Sequence, residues 1–276
     1  MSWGRDVRVA CLAAALGLSV LFGEDALVAG REKEVLVGTG DVAGCVSTRE
    51  GAAAELPDRM PGTVFTVVDT SRGSGSRARL DHCHAAHDYA ESIVGAEGYS
   101  GEPDKSYYSY DLGGWHVVAL NSACEEVGEC DEDSPMLRWL EEDLATNKKP
   151  CTLAYWRHLL FSSSPSSNNL SMWATWDVLY VAGADVVLNA HEHAYERFGS
   201  QTPEGNPDPE RGVREFVVGT EGSEPDPSGN RKPNSEVYGL EARGTLEFTL
   251  LPGGYEWEFV PAEKSVFSDF GSGACH

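Results

Sequence analysis

The chain has 276 residues, 41% hydrophobic and 24% charged, which suits a globular protein and excludes a largely disordered one. Its 44 acidic residues against 21 basic ones leave a formal charge of -23, which repels phosphate backbones and anionic lipid. Nucleic acid and membrane surfaces are therefore poor partners for the mature chain, and a phosphate-bearing ligand must be drawn by a local cation such as a bound metal.

Residues 1–30 read as an export signal. Arg5 and Arg8 give a basic start, Val9 to Phe22 form an apolar run of 14 residues, and Val28-Ala29-Gly30 offers a small-residue cleavage site. A bilayer span needs about 20 residues, so the run is short for a membrane helix; a buried N-terminal helix is the competing reading. Of the seven cysteines Cys11 lies inside this segment, which leaves Cys45, Cys83, Cys124, Cys130, Cys151 and Cys275, an even set that can pair fully outside the cell. Cys124 and Cys130 are close enough to close a small loop. No Cys-x-x-Cys is present to support a zinc framework.

From residue 31 to 276 the pattern is one domain. Val35-Leu36-Val37 and Thr63 to Val68 are short apolar runs that lead into Asp41 and Asp69, which predicts buried strands. Tyr107 to Asp111 and Trp115 to Asn121 flank Gly113-Gly114 as a hairpin. Ser134-Pro135 opens a helix to about Thr146, with Ser as cap and Pro in the first turn. Thr152 to Trp156 predicts a strand, Ser171 to Ala182 a helix stopped by Gly183, and Asp185 to Leu188 a strand ending near His191. Phe216 to Val218 is strand-like, and Thr245 to Leu250 pairs with Tyr255 to Val260 across Pro252-Gly253-Gly254. Residues 199–212 and 221–235 are loops rich in Gly, Pro and Ser. The expected fold is mixed α/β (α+β), a four-layer αββα sandwich of two packed mixed sheets flanked by helices.

Asp41, Asp69, His191 and His193 each follow a predicted strand at its C-terminal end, where α/β proteins gather their sites. Carboxylates with imidazoles suit Fe, Zn or Mn, and two such ions can flank a phosphate in an in-line displacement. Singly, each residue has a bland reading: an Asp after a strand is usually a turn residue or a cap.

The order of the motifs changes that weighing. Gly40-Asp41, the strand into Asp69, His87-Asp88-Tyr89, Tyr155-Trp156-Arg157-His158 and Ala190-His191-Glu192-His193-Ala194-Tyr195-Glu196-Arg197-Phe198 occur in sequence, with Gly253 to Pro261 and Cys275-His276 at the end. This order resembles the calcineurin-like metallophosphoesterases, in particular a bacterial branch similar to purple acid phosphatases. The resemblance implies a metal-dependent phosphoester hydrolase whose partner is a small phosphate ester or inorganic phosphate. It implies Asp41, Asp69 and His193 as ligands of a first metal, Asp69 as bridge, His191 on a second, and His87 as the acid that protonates the leaving oxygen.

Several positions depart from that pattern. Asp69 lacks its usual glycine neighbour, Arg72 stands near the place of a ligating tyrosine, Ala86 replaces an amide ligand, and Arg157 replaces a histidine ligand. The first metal keeps three ligands and the second only Asp69 and His191, so one ion is expected rather than two. A secreted, non-catalytic module with the same fold, binding an anion or a partner, is the alternative. His158 is set aside here because one step along a strand turns a side chain to the opposite face.

Overall fold

Alternation of apolar and polar residues in the C-terminal segment builds the clearest part of the fold. In β11 (Gly244–Leu251) and β12 (Gly254–Pro261), Leu246, Phe248, Leu250, Tyr255, Trp257 and Phe259 are buried while Glu256 and Glu258 face out. Leu251 pairs with Gly254, so Pro252-Gly253 forms a two-residue turn. The structure is a computed structural model, and it describes residues 33–40, 60–67, 99–102, 107–164, 169–220, 229–262 and 265–276. All belong to the second of two compact units, Glu32–His276.

The hairpin belongs to a five-stranded sheet ordered β13 (Phe270–Ala274), β12, β11, β1 (Glu34–Gly40), β2 (Thr63–Val67). β1 and β2 run parallel; Gly38 is required there because a Cβ would collide with the Phe65 carbonyl and ring. The second sheet has eight strands. Its order is β10 (Ser235–Gly239), β8 (Tyr195–Phe198), β9 (Arg214–Val218), β7 (Val186–Asn189), β6 (Cys151–Tyr155), β5 (Trp115–Ala119), β4 (Tyr107–Leu112), β3 (Ser100–Glu102). Its centre, β5-β6-β7-β9, is parallel throughout.

Period-2 burial splits the central strands between two cores. Val117, Leu153, Val186 and Leu188 join Leu36, Phe65, Leu246 and Phe248 in the core between the sheets. Val118, Ala154 and Val187 point the other way, onto α2 (Pro135–Thr146) and α3 (Trp173–Ala182), where Leu137, Leu140, Trp176 and Leu179 meet them. Because both faces are covered, these strands read as continuous apolar runs. A short helix, α1 (Cys124–Val127), precedes α2.

The α2 cap is the one its sequence announces. Ser134 accepts from the Leu137 amide at 3.2 Å and Pro135 occupies the first turn. α3 is entered through a single 3-10 turn, Leu170–Met172, and stops at Gly183, whose φ of 78° lies in the left-handed region. The two-sheet α+β architecture is thus as expected, and among the described residues helices cover the eight-stranded sheet only. None of those helices is long and apolar enough to cross a membrane.

Two disulfides are described. Cys124–Cys130 is the expected small loop, and Cys151–Cys275 ties β6 of the larger sheet to the residue after β13 of the smaller one. Cys11, Cys45 and Cys83 lie outside the described residues.

Candidate functional site

Parallel strands all present their C-terminal ends at one edge, and the chain leaves β5, β6 and β7 there in loops that touch. Ser122 follows β5, Arg157 and His158 follow β6, and His191 follows β7. Backbone bonds fix their relative heights: Leu120 N donates to Tyr155 O at 3.0 Å, Trp156 N to Leu188 O at 3.1 Å, and Ala190 N to Arg157 O at 3.2 Å. Buried Trp156 donates from its indole to His158 O at 2.7 Å, and the Asn189 amide donates to Trp156 O at 2.9 Å. The loop after β6 is therefore a held structure.

Within it the rings of His158 and His191 stack edge to face, with centroids 4.8 Å apart. An Arg157 Nη1 lies 3.1 Å from His158 Nε2, and His158 Nδ1 lies 2.9 Å from Ser122 Oγ. A guanidinium only donates, so Nε2 accepts; the neutral ring then carries its proton on Nδ1 and donates it to Ser122. Ser122 Oγ also accepts the His158 amide at 3.0 Å. That assignment excludes His158 as a base activating the Ser122 hydroxyl.

His191 has φ of 78°, one of two non-glycine residues described with positive φ. Such a conformation costs about 1–3 kcal/mol and persists where surrounding contacts impose it. His191 and His193 are half-buried, and Glu192 between them is buried. The remainder of the motif is scaffolding. Tyr195 and Arg197 both reach Asp269, at 2.6 and 2.8 Å, and Arg197 also pairs with Glu236. The Arg197 pair holds the Asp269 carboxyl below the usual range against the opposing effect of burial. Glu196 accepts from the Ser163 amide at 2.9 Å and its hydroxyl at 2.5 Å.

Placement of the expected site residues divides cleanly. His191, His193 and Arg157 are described; Asp41, Asp69, Ala86 and His87 lie outside the described residues. Arg157 contacts His158 instead of facing solvent alone. His158 corrects the sequence reading. The alternation argument that set it aside applies only within a strand, and β6 ends at Tyr155, so the bend at 157–158 is free to turn the ring toward His191. Ser122, the residue after the Trp115-to-Asn121 segment, carries no signal in the sequence that would single it out.

Imidazoles at this corner suit Fe, Zn or Mn. The Arg157 guanidinium is a permanent cation that only donates and so cannot itself ligate a metal. Among the described residues, three side chains with metal-ligating atoms converge only elsewhere, at Cys151, Asp185 and Cys275.

No family model matches the chain. Purple acid phosphatase 15 of Arabidopsis thaliana is 33% identical over 104 residues, which is 36% of this chain and 19% of that protein. Purple acid phosphatase 18 of the same plant is 33% identical over 106 residues, 36% of this chain and 23% of that protein. The solved structure of purple acid phosphatase PPD1 from yellow lupin (Lupinus luteus) seeds superposes with a TM-score of 0.67 at 12% identity. The match covers 88% of this chain and 54% of that one. The chain is related to the calcineurin-like metallophosphoesterases.

The chain spans roughly a fifth of the length of the curated purple acid phosphatases it matches. A second fold neighbour is GAP50, the anchor in the inner membrane complex of Plasmodium, with a TM-score of 0.56 at 10% identity. It is covered over 88% of its length, and 86% of this chain takes part.

Proposed function

We propose that the protein is a metal-dependent phosphoester hydrolase, acid-phosphatase-like, working with one ion where its relatives' pattern has two. The single observation that carries this reading is the meeting of His158, His191 and Arg157 beyond the ends of neighbouring parallel strands, inside a purple acid phosphatase fold. Asp41, Asp69 and His193 would hold the ion, with His191 beside them. The chemistry such an ion supplies is Lewis-acid polarisation of a phosphate oxygen and activation of water. Arg157 binds and orients the phosphate, since a guanidinium matches its oxygens in a two-pronged geometry. Its charge takes over part of the neutralisation a second ion would give. His87 protonates the leaving oxygen, a contribution of about 10²–10⁴-fold when well placed.

The substrate class is a small phosphate ester, with inorganic phosphate released, and the location is outside the cell. Two disulfides and the signal-like start support export. A second reading, a secreted module that binds an anion without turnover, is favoured by Arg157, an anion-binding guanidinium that stands where the resemblance has a histidine ligand.

Elemental analysis of the chain loaded with Fe, Zn or Mn separates the two. The hydrolase reading predicts about one equivalent, rising toward two in the double variant Arg157→His with Ala86→Asn. No retained metal in either protein supports the binding module and sinks the hydrolase.

A further inference from the structure

A second constellation lies at the opposite end of β7 from the motif histidines, where the end of the chain meets the start of β6. Asp185 precedes β7 and is buried. Its Oδ2 accepts the Thr152 amide at 2.8 Å; its Oδ1 accepts the His276 amide at 3.0 Å and lies 3.1 Å from His276 Nδ1. The Cys151 and Cys275 sulfurs and an Asp185 oxygen all lie within 4.8 Å of one another. Two sulfurs and a carboxylate are thus gathered at one point with the His276 imidazole against that carboxylate, and only the disulfide keeps the sulfurs from acting as ligands.

We propose that the Cys151–Cys275 disulfide covers a latent zinc site, in which the two reduced cysteines bind Zn2+ together with Asp185 and His276.

The donor set is chemically apt. Thiolate, imidazole and carboxylate are the side chains that bind zinc in four-coordinate sites, at about 2.3 Å for sulfur and about 2.0–2.2 Å for nitrogen and oxygen. Thiolates select against calcium and magnesium, which require oxygen cages. Asp185 spends three of about four carboxylate lone-pair positions on the contacts above, which leaves one for a metal.

The scaffold does not depend on the disulfide for its placement. β13 pairs with β12 from Gly254↔Ala274 to Glu258↔Phe270, and the Cys275 amide donates to Gly253 O at 3.1 Å. On the other side Asp185 N donates to Thr152 O at 2.9 Å and Arg214 N to Asp185 O at 3.0 Å. With Cα atoms 5.5 Å apart, the two cysteines need only side-chain rotation to open from a bond into a chelate.

The steps balance. A phosphine with one water reduces the disulfide to two thiols and becomes the phosphine oxide. Zn2+ then binds two thiolates with release of two protons, so binding strengthens as pH rises through the thiol range. Disulfide and zinc use the same sulfurs and exclude one another, so bound zinc also blocks reoxidation.

Cobalt(II) is the probe, because thiolate ligation gives a charge-transfer band that imidazole and carboxylate sites lack. In the phosphine-reduced full chain, one equivalent of Co2+ should give that band, and Zn2+ should bleach it. The oxidised chain should show nothing, and Cys124→Ser with Cys130→Ser should behave as the parent. Cys151→Ser with Cys275→Ser should abolish the band; Asp185→Asn and the surface change His276→Ala should each weaken Co2+ binding at least tenfold. Zn2+ should also raise the melting temperature of the reduced chain. The proposal is overturned if the band survives loss of Cys151 and Cys275. It fails equally if His276→Ala binds as tightly as the parent, or if the reduced chain is unfolded with and without metal.

Discussion

Glu215 on β9 is fully buried beside another carboxylate, Glu196. Burial pushes its carboxyl well above the usual range and the Glu196 charge adds to the shift, while the Phe161 amide opposes it. A carboxyl with a raised folded value stabilises the fold fully below its unfolded value of about 4.3 and loses that contribution as pH rises through the folded value. Glu215→Gln should therefore raise the melting temperature at pH 8 to 9 and change it little near pH 4; an unchanged difference across that range would contradict the assignment. His116 behaves alike for a different reason. Burial lowers its value, but hydrogen bonds to Asp143 at 2.8 Å and Asp111 at 3.0 Å outweigh that, and the net shift is upward. Its stabilisation is complete below about pH 6.5 and lost as pH rises through the folded value. Urea unfolding of His116→Gln should show a loss of about 2 kcal/mol at pH 6, where the bonds are charge-assisted, and a smaller loss at pH 9.

At the scale of elements, the two disulfides should differ sharply in worth. Cys151–Cys275 joins residues 124 apart in sequence and Cys124–Cys130 residues 6 apart. Loop-closure entropy assigns them about 5 and about 2 kcal/mol. Denaturant titration of the paired Cys→Ser variants should reproduce that order, and equal losses would show that closure of the sheet pair is held by other contacts. Most elements were legible because apolar residues alternate or run where the fold needs them, as in β11, β12, β5 and β6. β13 was not, since its Phe-Gly-Ser-Gly-Ala carries no such pattern. Its glycines are needed instead for space: a Cβ at Gly271 would meet the Trp257 ring, and one at Gly273 the Tyr255 ring. β8 was hidden for the opposite reason. All four of its residues are buried, and their side chains serve Asp269 and Ser163 rather than a simple core face. At the corner beyond β6 and β7, the sequence motif singles out His191 but not His158, because where β6 ends decides where the His158 ring points.

Over the whole molecule the net charge of -23 and the shifts at Glu215, His116 and Asp185 act in one direction. Asp185 is raised by burial, against the opposing contacts of Thr152 and His276. Each of these groups favours the fold under mildly acidic conditions, and protonation of surface carboxylates relieves self-repulsion in the same range. The most direct measurement is hydrolysis of a generic aromatic phosphate ester at mildly acidic pH by the metal-loaded chain and by His193→Ala. The account predicts turnover by the parent and a fall of at least about 100-fold in the variant, as expected for loss of an inner ligand when outer partners alone cost about 10–100-fold. No turnover by the parent above buffer, or equal turnover by the variant, would contradict it.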